Sequence, residues 1–264
     1  MAFLNNKMKS ILGNSVFSRI NFIICGTQKG GTTALDTYLR THPDICMANK
    51  KEVHYFDKDK YFKGQSPNYK KYHKYFSPSN ETQIIGEATP IYMYWNEAIA
   101  RIHRYNPEIK LIIVLRNPID RAFSHWNMER DKGREKRSFF QAIIDEASKI
   151  NSSDRTQDKT FSYLDRGYYS SQIKNIYKYF QDNQLLVLRN DLLRIQPDEV
   201  LMRISKYLNI SPFQPINHKE VNSRPYPVSM GEKELSFLKS FYKKELDSLE
   251  KLLEWDLASW KNER

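Results

Sequence analysis

Residues Phe22–Leu35 read FIICGTQKGGTTAL, and this stretch limits the possible folds more than any other. A continuous apolar, β-branched run suits a strand buried on both faces. Such strands belong to parallel sheets covered by helices. The run ends in a glycine-rich turn, and a helix-forming pattern follows at once. That succession aims backbone N–H groups and a helix N-terminus at one point, which suits a phosphate or a sulfate. The lysine then discriminates. A nucleotide-hydrolysing loop reads G-x-x-x-x-G-K-[ST]. Here Gly26 and Gly31 keep the glycine spacing, but Thr32 takes the lysine position and the turn's lysine is Lys29. The loop is a phosphate cradle of another type.

Three further runs predict buried strands: Gln83–Glu87, Lys110–Arg116 and Leu185–Arg189. Helical spacing marks Thr33–His42, Asn96–Tyr105, Ile119–Asp131, Ser138–Ile150, Ser170–Gln181 and Asp198–Leu208. A last helix runs from Met230 to Leu253, with Leu235, Leu238, Tyr242, Leu246, Leu249 and Leu253 as its apolar stripe. Strands alternating with helices predict an α/β fold, one domain over residues 20–264 with a central parallel sheet flanked by helices. In such sheets ligands sit at the carboxyl ends of the strands. The chemistry is therefore expected just after Gly26, Glu87 and Arg116. Asn151–Thr160 is polar throughout and predicts a mobile loop.

Composition narrows the class. The chain has 264 residues, 40% of them hydrophobic, which is enough for a core and excludes wholesale disorder. No apolar run approaches the ~18–20 residues of a membrane span. Residues 1–19 show no apolar core of signal-peptide type, so the expectation is a cytoplasmic protein with a frayed N-terminal arm. Cys25 and Cys46 offer neither a disulfide framework nor metal spacing, and the histidines show no metal spacing either. A net charge of +11 favours anionic partners without choosing among them. No nucleic-acid-binding motif accompanies that charge.

The third strand ends in Arg116, where a magnesium-dependent ATPase would place an aspartate. An arginine there can clamp a phosphate in bidentate fashion, and Ser124 in the following helix can add a hydrogen bond. The competing possibility is an Arg116–Asp120 ion pair. Taken together, GTQKGGTTAL and LRNPIDRAFSHW resemble the two nucleotide-binding motifs of the sulfotransferases that use 3′-phosphoadenosine 5′-phosphosulfate (PAPS). KEVHYFD, Lys51–Asp57, resembles the acceptor-side motif of the heparan sulfate sulfotransferase branch and its bacterial relatives. The resemblance extends over residues 20–260 and implies the P-loop nucleotide-kinase-like sulfotransferase fold.

What the resemblance implies can be stated residue by residue. Lys29, Gly30, Gly31, Thr32 and Thr33 would hold the 5′-phosphosulfate, with Lys29 neutralising the leaving group. Arg116 and Ser124 would hold the 3′-phosphate, with Tyr169 and Arg224 as further nucleotide contacts; Tyr169 fits a core role equally and Arg224 a surface one. Glu52 would be the base, and His54 and Asp57 would line the acceptor site. Glu87, in GEATPIY, would orient Lys29, touch the acceptor, or be a buried structural carboxylate. The heparan-modifying enzymes carry a lysine where this chain has Ala88. The implied reaction is in-line sulfuryl transfer from PAPS to a hydroxyl or amine, on a carbohydrate by branch, with no metal and with PAP as product. The rivals are a catalytically idle PAP- or PAPS-binding protein and a P-loop kinase. Phe56–Phe76 interleaves aromatics with lysines, as either a lid or an amphipathic helix whose Tyr69, Tyr72 and Phe76 share one face.

Overall fold

The computed structural model describes residues 19–64, 67–81, 83–152, 156–214 and 228–262. Except for Arg19, the expected N-terminal arm lies outside these residues, as does Arg224. Five parallel strands form one sheet. They are β1 (Phe22–Gly26), β2 (Ile45–Met47), β3 (Ile84–Ala88), β4 (Lys110–Leu115) and β5 (Leu185–Arg189), in the order β2-β3-β1-β4-β5. Four of them fall where the apolar runs predict. β2 escapes prediction because three residues are too few to show a period.

β1 lies at the centre because every one of its side chains is buried. Period-2 alternation splits the strands between two cores. Phe22, Ile24, Ile112, Val114 and Leu188 face one layer; Ile23, Cys25, Leu111, Ile113 and Leu115 face the other. The first layer is closed by α1 (Thr32–Leu39) and, further on, Pro197–Leu208. Among the helices of the second layer are Asn96–Tyr105, Pro118–Asp131, Phe139–Ile150, Tyr169–Ile176 and Glu232–Leu253. Of the stripe that the sequence predicts on the long last helix, Leu238, Tyr242, Leu246 and Leu249 are buried and Leu235 and Leu253 half-buried.

The stretch Phe56–Phe76 yields a short helix, Tyr69–His73, with Asn68 accepting a hydrogen bond at its N-cap. Tyr72 and Phe76 are buried and Tyr69 is half-buried, so the shared face packs inward. Within it Tyr55 and Tyr72 stack at 4.9 Å and Phe56 meets Tyr72 edge-on at 5.0 Å. The order of the strands sets the location of the site. The chain leaves β1 toward β2 and β3 on one side and β4 on the other. The loops after β1, β3 and β4 therefore open onto one crevice at the strands' carboxyl ends.

Candidate active site

The loop after β1 is shaped by its backbone. The Thr27 N–H donates to the Val114 carbonyl at 3.1 Å, and the Gly30 N–H closes a turn onto the Thr27 carbonyl at 2.9 Å. Lys29 and Gly31 adopt left-handed conformations, with φ of 67° and 100°. Such alternation turns successive N–H groups into a concave nest for an anion. A Cβ on Gly30 would collide with the Val114 carbonyl and with Thr27, so the approach of loop to sheet requires glycine there. From the start of a short helix after β5, the Asn190 amide donates to the Gly30 carbonyl at 2.9 Å. That contact fixes the loop from behind and was not evident from the sequence, since Asn190 lies outside any motif.

Helix α1 begins at Thr32. No side chain caps it, and its first turn holds no acidic residue. Its leading N–H groups thus keep their partial positive charge for a ligand. Thr32 is buried and Thr33 exposed. Burial and the nearby Arg116 charge lower the pKa of Lys29, while Glu52 pulls it up. A cation and a carboxylate from two different loops therefore act on one ammonium.

Arg116 is half-buried at the end of β4 and makes no ion pair with Asp120 among the described residues. Asn117 caps the next helix by accepting from the Ile119 N–H at 3.0 Å, and its amide donates to the Trp260 carbonyl at 3.2 Å. Ser124, 2% exposed, lies in the second turn of that helix. Tyr169 departs from the expected nucleotide contact. It is wholly buried, and its hydroxyl donates to the Arg116 carbonyl at 2.9 Å. It braces Arg116 from the core and offers no surface to a nucleotide.

The turn after β2 gathers Glu52, His54 and Asp57, the residues that the resemblance implies on the acceptor side. Glu52 and His54 both take positive φ, 59° and 54°, so their side chains emerge while Val53, Tyr55 and Phe56 are buried. Lys51 Nζ lies 2.7 Å from Glu52 Oε1, and His54 Nε2 lies 3.5 Å from Glu52 Oε2. On its other edge the imidazole meets Asp57, Nδ1 to Oδ2 at 3.2 Å. Lys159 approaches the same Asp57 oxygen at 3.2 Å and sits 4.0 Å from the centre of the Trp95 ring.

This chain of alternating charge polarises its members. The His54 hydrogen bond outweighs burial and, with Lys51, brings Glu52 down to about 2. The hydrogen bonds to Asp57 and Glu52 lift His54 to about 9. Burial raises Asp57, yet His54 and Lys159 together hold it below its ordinary value. At neutral pH the turn thus presents an ionised carboxylate beside an imidazolium.

Glu87 is corrected by the structure. It is wholly buried, and both carboxylate oxygens accept from hydroxyls of Tyr72, Thr89 and Tyr92. It reaches neither Lys29 nor an acceptor, which leaves the third option open in the sequence, a buried carboxylate. Ala88 is 1% exposed and packs in the layer that holds α1. Lys51, Tyr92, Lys159 and Asn190 are the functional neighbours that the sequence reading missed. Lys159 lies in the expected mobile loop. Its described part is tied down, with Gln157 accepting from the Asn96 N–H at 2.9 Å and Lys159 on Asp57. The expectation of mobility at residues 153–155 falls outside the described residues.

A parallel sheet with a glycine nest after its central strand and a cationic end on the next defines an anion-binding α/β protein of P-loop type. Residues 19–222 match the sulfotransferase domain family, and the chain belongs to that family. It is 31% identical over 199 residues to mouse (Mus musculus) heparan sulfate glucosamine 3-O-sulfotransferase 5, covering 72% of this chain and 53% of that protein. It is 32% identical over 201 residues to human (Homo sapiens) bifunctional heparan sulfate N-deacetylase/N-sulfotransferase 3, covering 72% and 22%. The chain thus spans about half the length of the first of these relatives. A sulfotransferase from Alicyclobacillus acidocaldarius superposes with a TM-score of 0.79 at 27% identity, covering 93% of this chain and 100% of that one.

Proposed function

We propose that this protein transfers a sulfuryl group from PAPS to a hydroxyl or amine of a carbohydrate acceptor, by direct in-line displacement. The observation that carries this reading is the convergence on Lys29, where the nest, the Arg116 cation and the Glu52 carboxylate meet. The donor fits the residues present. Lys29 and Gly31 hold the left-handed backbone of the nest, α1 starts uncapped, and Arg116 has no carboxylate partner among the described residues. Lys29, Gly30, Gly31, Thr32 and Thr33 would hold the phosphosulfate end, and Arg116 and Ser124 the 3′-phosphate. When bound, PAPS supplies the sulfuryl group and a bisphosphate leaving group.

The side chains divide the remaining work. Lys29 supplies positive charge where negative charge builds on departure; a preorganised donor of this kind contributes ~3–4 kcal/mol. Glu52 accepts the acceptor's proton. A carboxylate held near 2 is a weak base toward a free alcohol, but it takes the proton once the attacking oxygen becomes acidic in the transition state. His54, held by Asp57, keeps Glu52 ionised until then. Lys159 and Trp95 border the same turn and would form the acceptor's wall.

The acceptor class rests on the two heparan-modifying relatives and on the resemblance of Lys51–Asp57 to the acceptor-side motif of that branch. Cytoplasmic residence is part of the proposal; Cys25 and Cys46 are free thiols, and fractionation checks it. The competing reading, a binding protein without turnover, draws on Ala88, which stands where the resemblance to the heparan-modifying branch implies a lysine. Transfer of labelled sulfate from PAPS to a panel of glycans separates the two. We expect Glu52→Gln to lose transfer ~10²-fold or more while binding PAP as tightly as the parent protein. Wild-type transfer by Glu52→Gln would remove Glu52 as base, and no transfer by the parent to any glycan would favour the binding protein.

A further inference from the structure

The end of β3 holds a carboxylate that the chemistry above leaves unused. Glu87 is wholly buried. Tyr72 donates to its Oε1 at 2.5 Å, Tyr92 to the same oxygen at 3.3 Å, and Thr89 to Oε2 at 2.6 Å. Among the described residues it has no salt-bridge partner. Burial lifts its pKa to about 7 against those three hydrogen bonds. A buried carboxylate without a paired cation is costly to keep, so its hydrogen bonds must matter elsewhere.

Tyr92 shows where. Its hydroxyl accepts from the Tyr55 N–H at 2.8 Å and from the Phe56 N–H at 3.4 Å while donating to Glu87. Those two amides lie inside the turn that carries Glu52, His54 and Asp57. The turn keeps Glu52 and His54 in left-handed conformations, which non-glycine residues hold only where surrounding contacts impose them. One tie is the Glu52 N–H on the Ala88 carbonyl at 2.9 Å; Arg101 on the Phe56 carbonyl and Lys159 on the Asp57 carbonyl are others, and Tyr92 is the one that leads to Glu87. A hydroxyl that donates to a carboxylate becomes a better acceptor, because bonds in a chain polarise one another.

We propose that Glu87, acting through the Tyr92 hydroxyl, is a positioning residue that holds the Glu52–Asp57 turn in its working shape, and that protonating Glu87 loosens this hold. The groups that face Glu87 are Tyr72 and Tyr105 from two helices, Thr89 and Tyr92 from the segment after β3, and His54 from the turn itself. The four hydroxyl groups stay protonated across the neutral range. His54 is lifted to about 9 and Glu87 to about 7, so the two events are resolvable. The proposal rests on Glu52 as the base for its catalytic meaning but not for its structural content.

The test follows the His54 ring by NMR of protein labelled in histidine, assigned by comparison with His54→Asn, from pH 5.5 to 10. PAP binding measured alongside reports that each variant is folded. The parent should show two inflections at His54, its own near 9 and a second near 7. Glu87→Gln, which keeps an acceptor oxygen but cannot titrate, should lose the second while binding PAP within about 2-fold of the parent. Tyr92→Phe should lose the same inflection, bring the His54 pKa toward its ordinary value, and cut PAPS turnover about 10-fold or more. An inflection near 7 that survives in Glu87→Gln would overturn the proposal, as would a Tyr92→Phe protein that binds PAP and leaves His54 unchanged. If Glu52→Gln retains full transfer while the inflection still depends on Glu87, the base assignment fails and the positioning role stands.

Discussion

The two halves of the site are built by different means. The donor side is backbone: a glycine nest, a bare helix end, and one arginine at a strand terminus. The acceptor side is side chain: Lys51, Glu52, His54, Asp57 and Lys159 in a row of alternating charge, perched on a turn with two left-handed non-glycine residues. A backbone site is rigid and suits a ligand that never changes. A side-chain site can be re-drawn by a few substitutions. On the function proposed above, the contrast teaches that donor and acceptor recognition answer to separate physical constraints, and each can be attacked alone.

The largest expected effect lies on the donor side. Lys29→Met should lower kcat for sulfuryl transfer by ~10²–10³-fold, the usual loss for one charge-stabilising donor. PAP affinity should move far less, because the nest and α1 remain; equal losses in both would assign Lys29 to binding. Next comes Arg116→Ala. Loss of a charge-assisted phosphate contact should weaken PAP by ~10-fold or more, whereas a nucleotide without the 3′-phosphate should bind the variant and the parent alike. Calorimetry with both nucleotides decides; equal weakening would take the 3′-phosphate away from Arg116.

The smallest effect belongs to the acceptor side and concerns stability. The His54 pKa is raised in the fold, so its ion pairs stabilise the protein fully below about 6.5 and cease to do so as pH rises through about 9. His54→Asn should therefore cost stability at pH 6 and little at pH 10. The difference should stay within ~1 kcal/mol, because the ring is about one third exposed and screened by water. Denaturant melts at the two pH values check it, and a penalty independent of pH would place the effect in packing.

Legibility from sequence follows the same division. Backbone sites leave a local signature, because glycines, an apolar strand and a helix must follow one another in the chain. Gly26, Gly31 and Arg116 could be placed on that basis before any coordinates, as could four of the five strands. Side-chain sites are assembled from segments far apart. Nothing local ties Lys159 to Asp57, Asn190 to Gly30, or Tyr92 to the Tyr55 amide. Glu87 was ambiguous because a strand end can face solvent or core, and only the enclosing hydroxyls resolve it. Tyr169 is ambiguous for a related reason. An aromatic at a helix start reads the same whether it stacks on a ligand or, as here, braces the Arg116 carbonyl from within.

The short strand β2 gives the molecule a seam. It is an edge strand, held through Ile45, Cys46 and Met47 against Ile84, Ile85 and Gly86. The ladder continues past its end, with the Ala48 N–H on the Gly86 carbonyl and the Glu52 N–H on the Ala88 carbonyl, both at 2.9 Å. Glu52 thus hangs from the border of the sheet, while the nest hangs from its middle. A border segment can be exchanged as a cassette without unpicking the strands inside it. On the function proposed above, the same scaffold would in this way keep one donor across many acceptors, changing its trade at the hem and leaving the seat untouched.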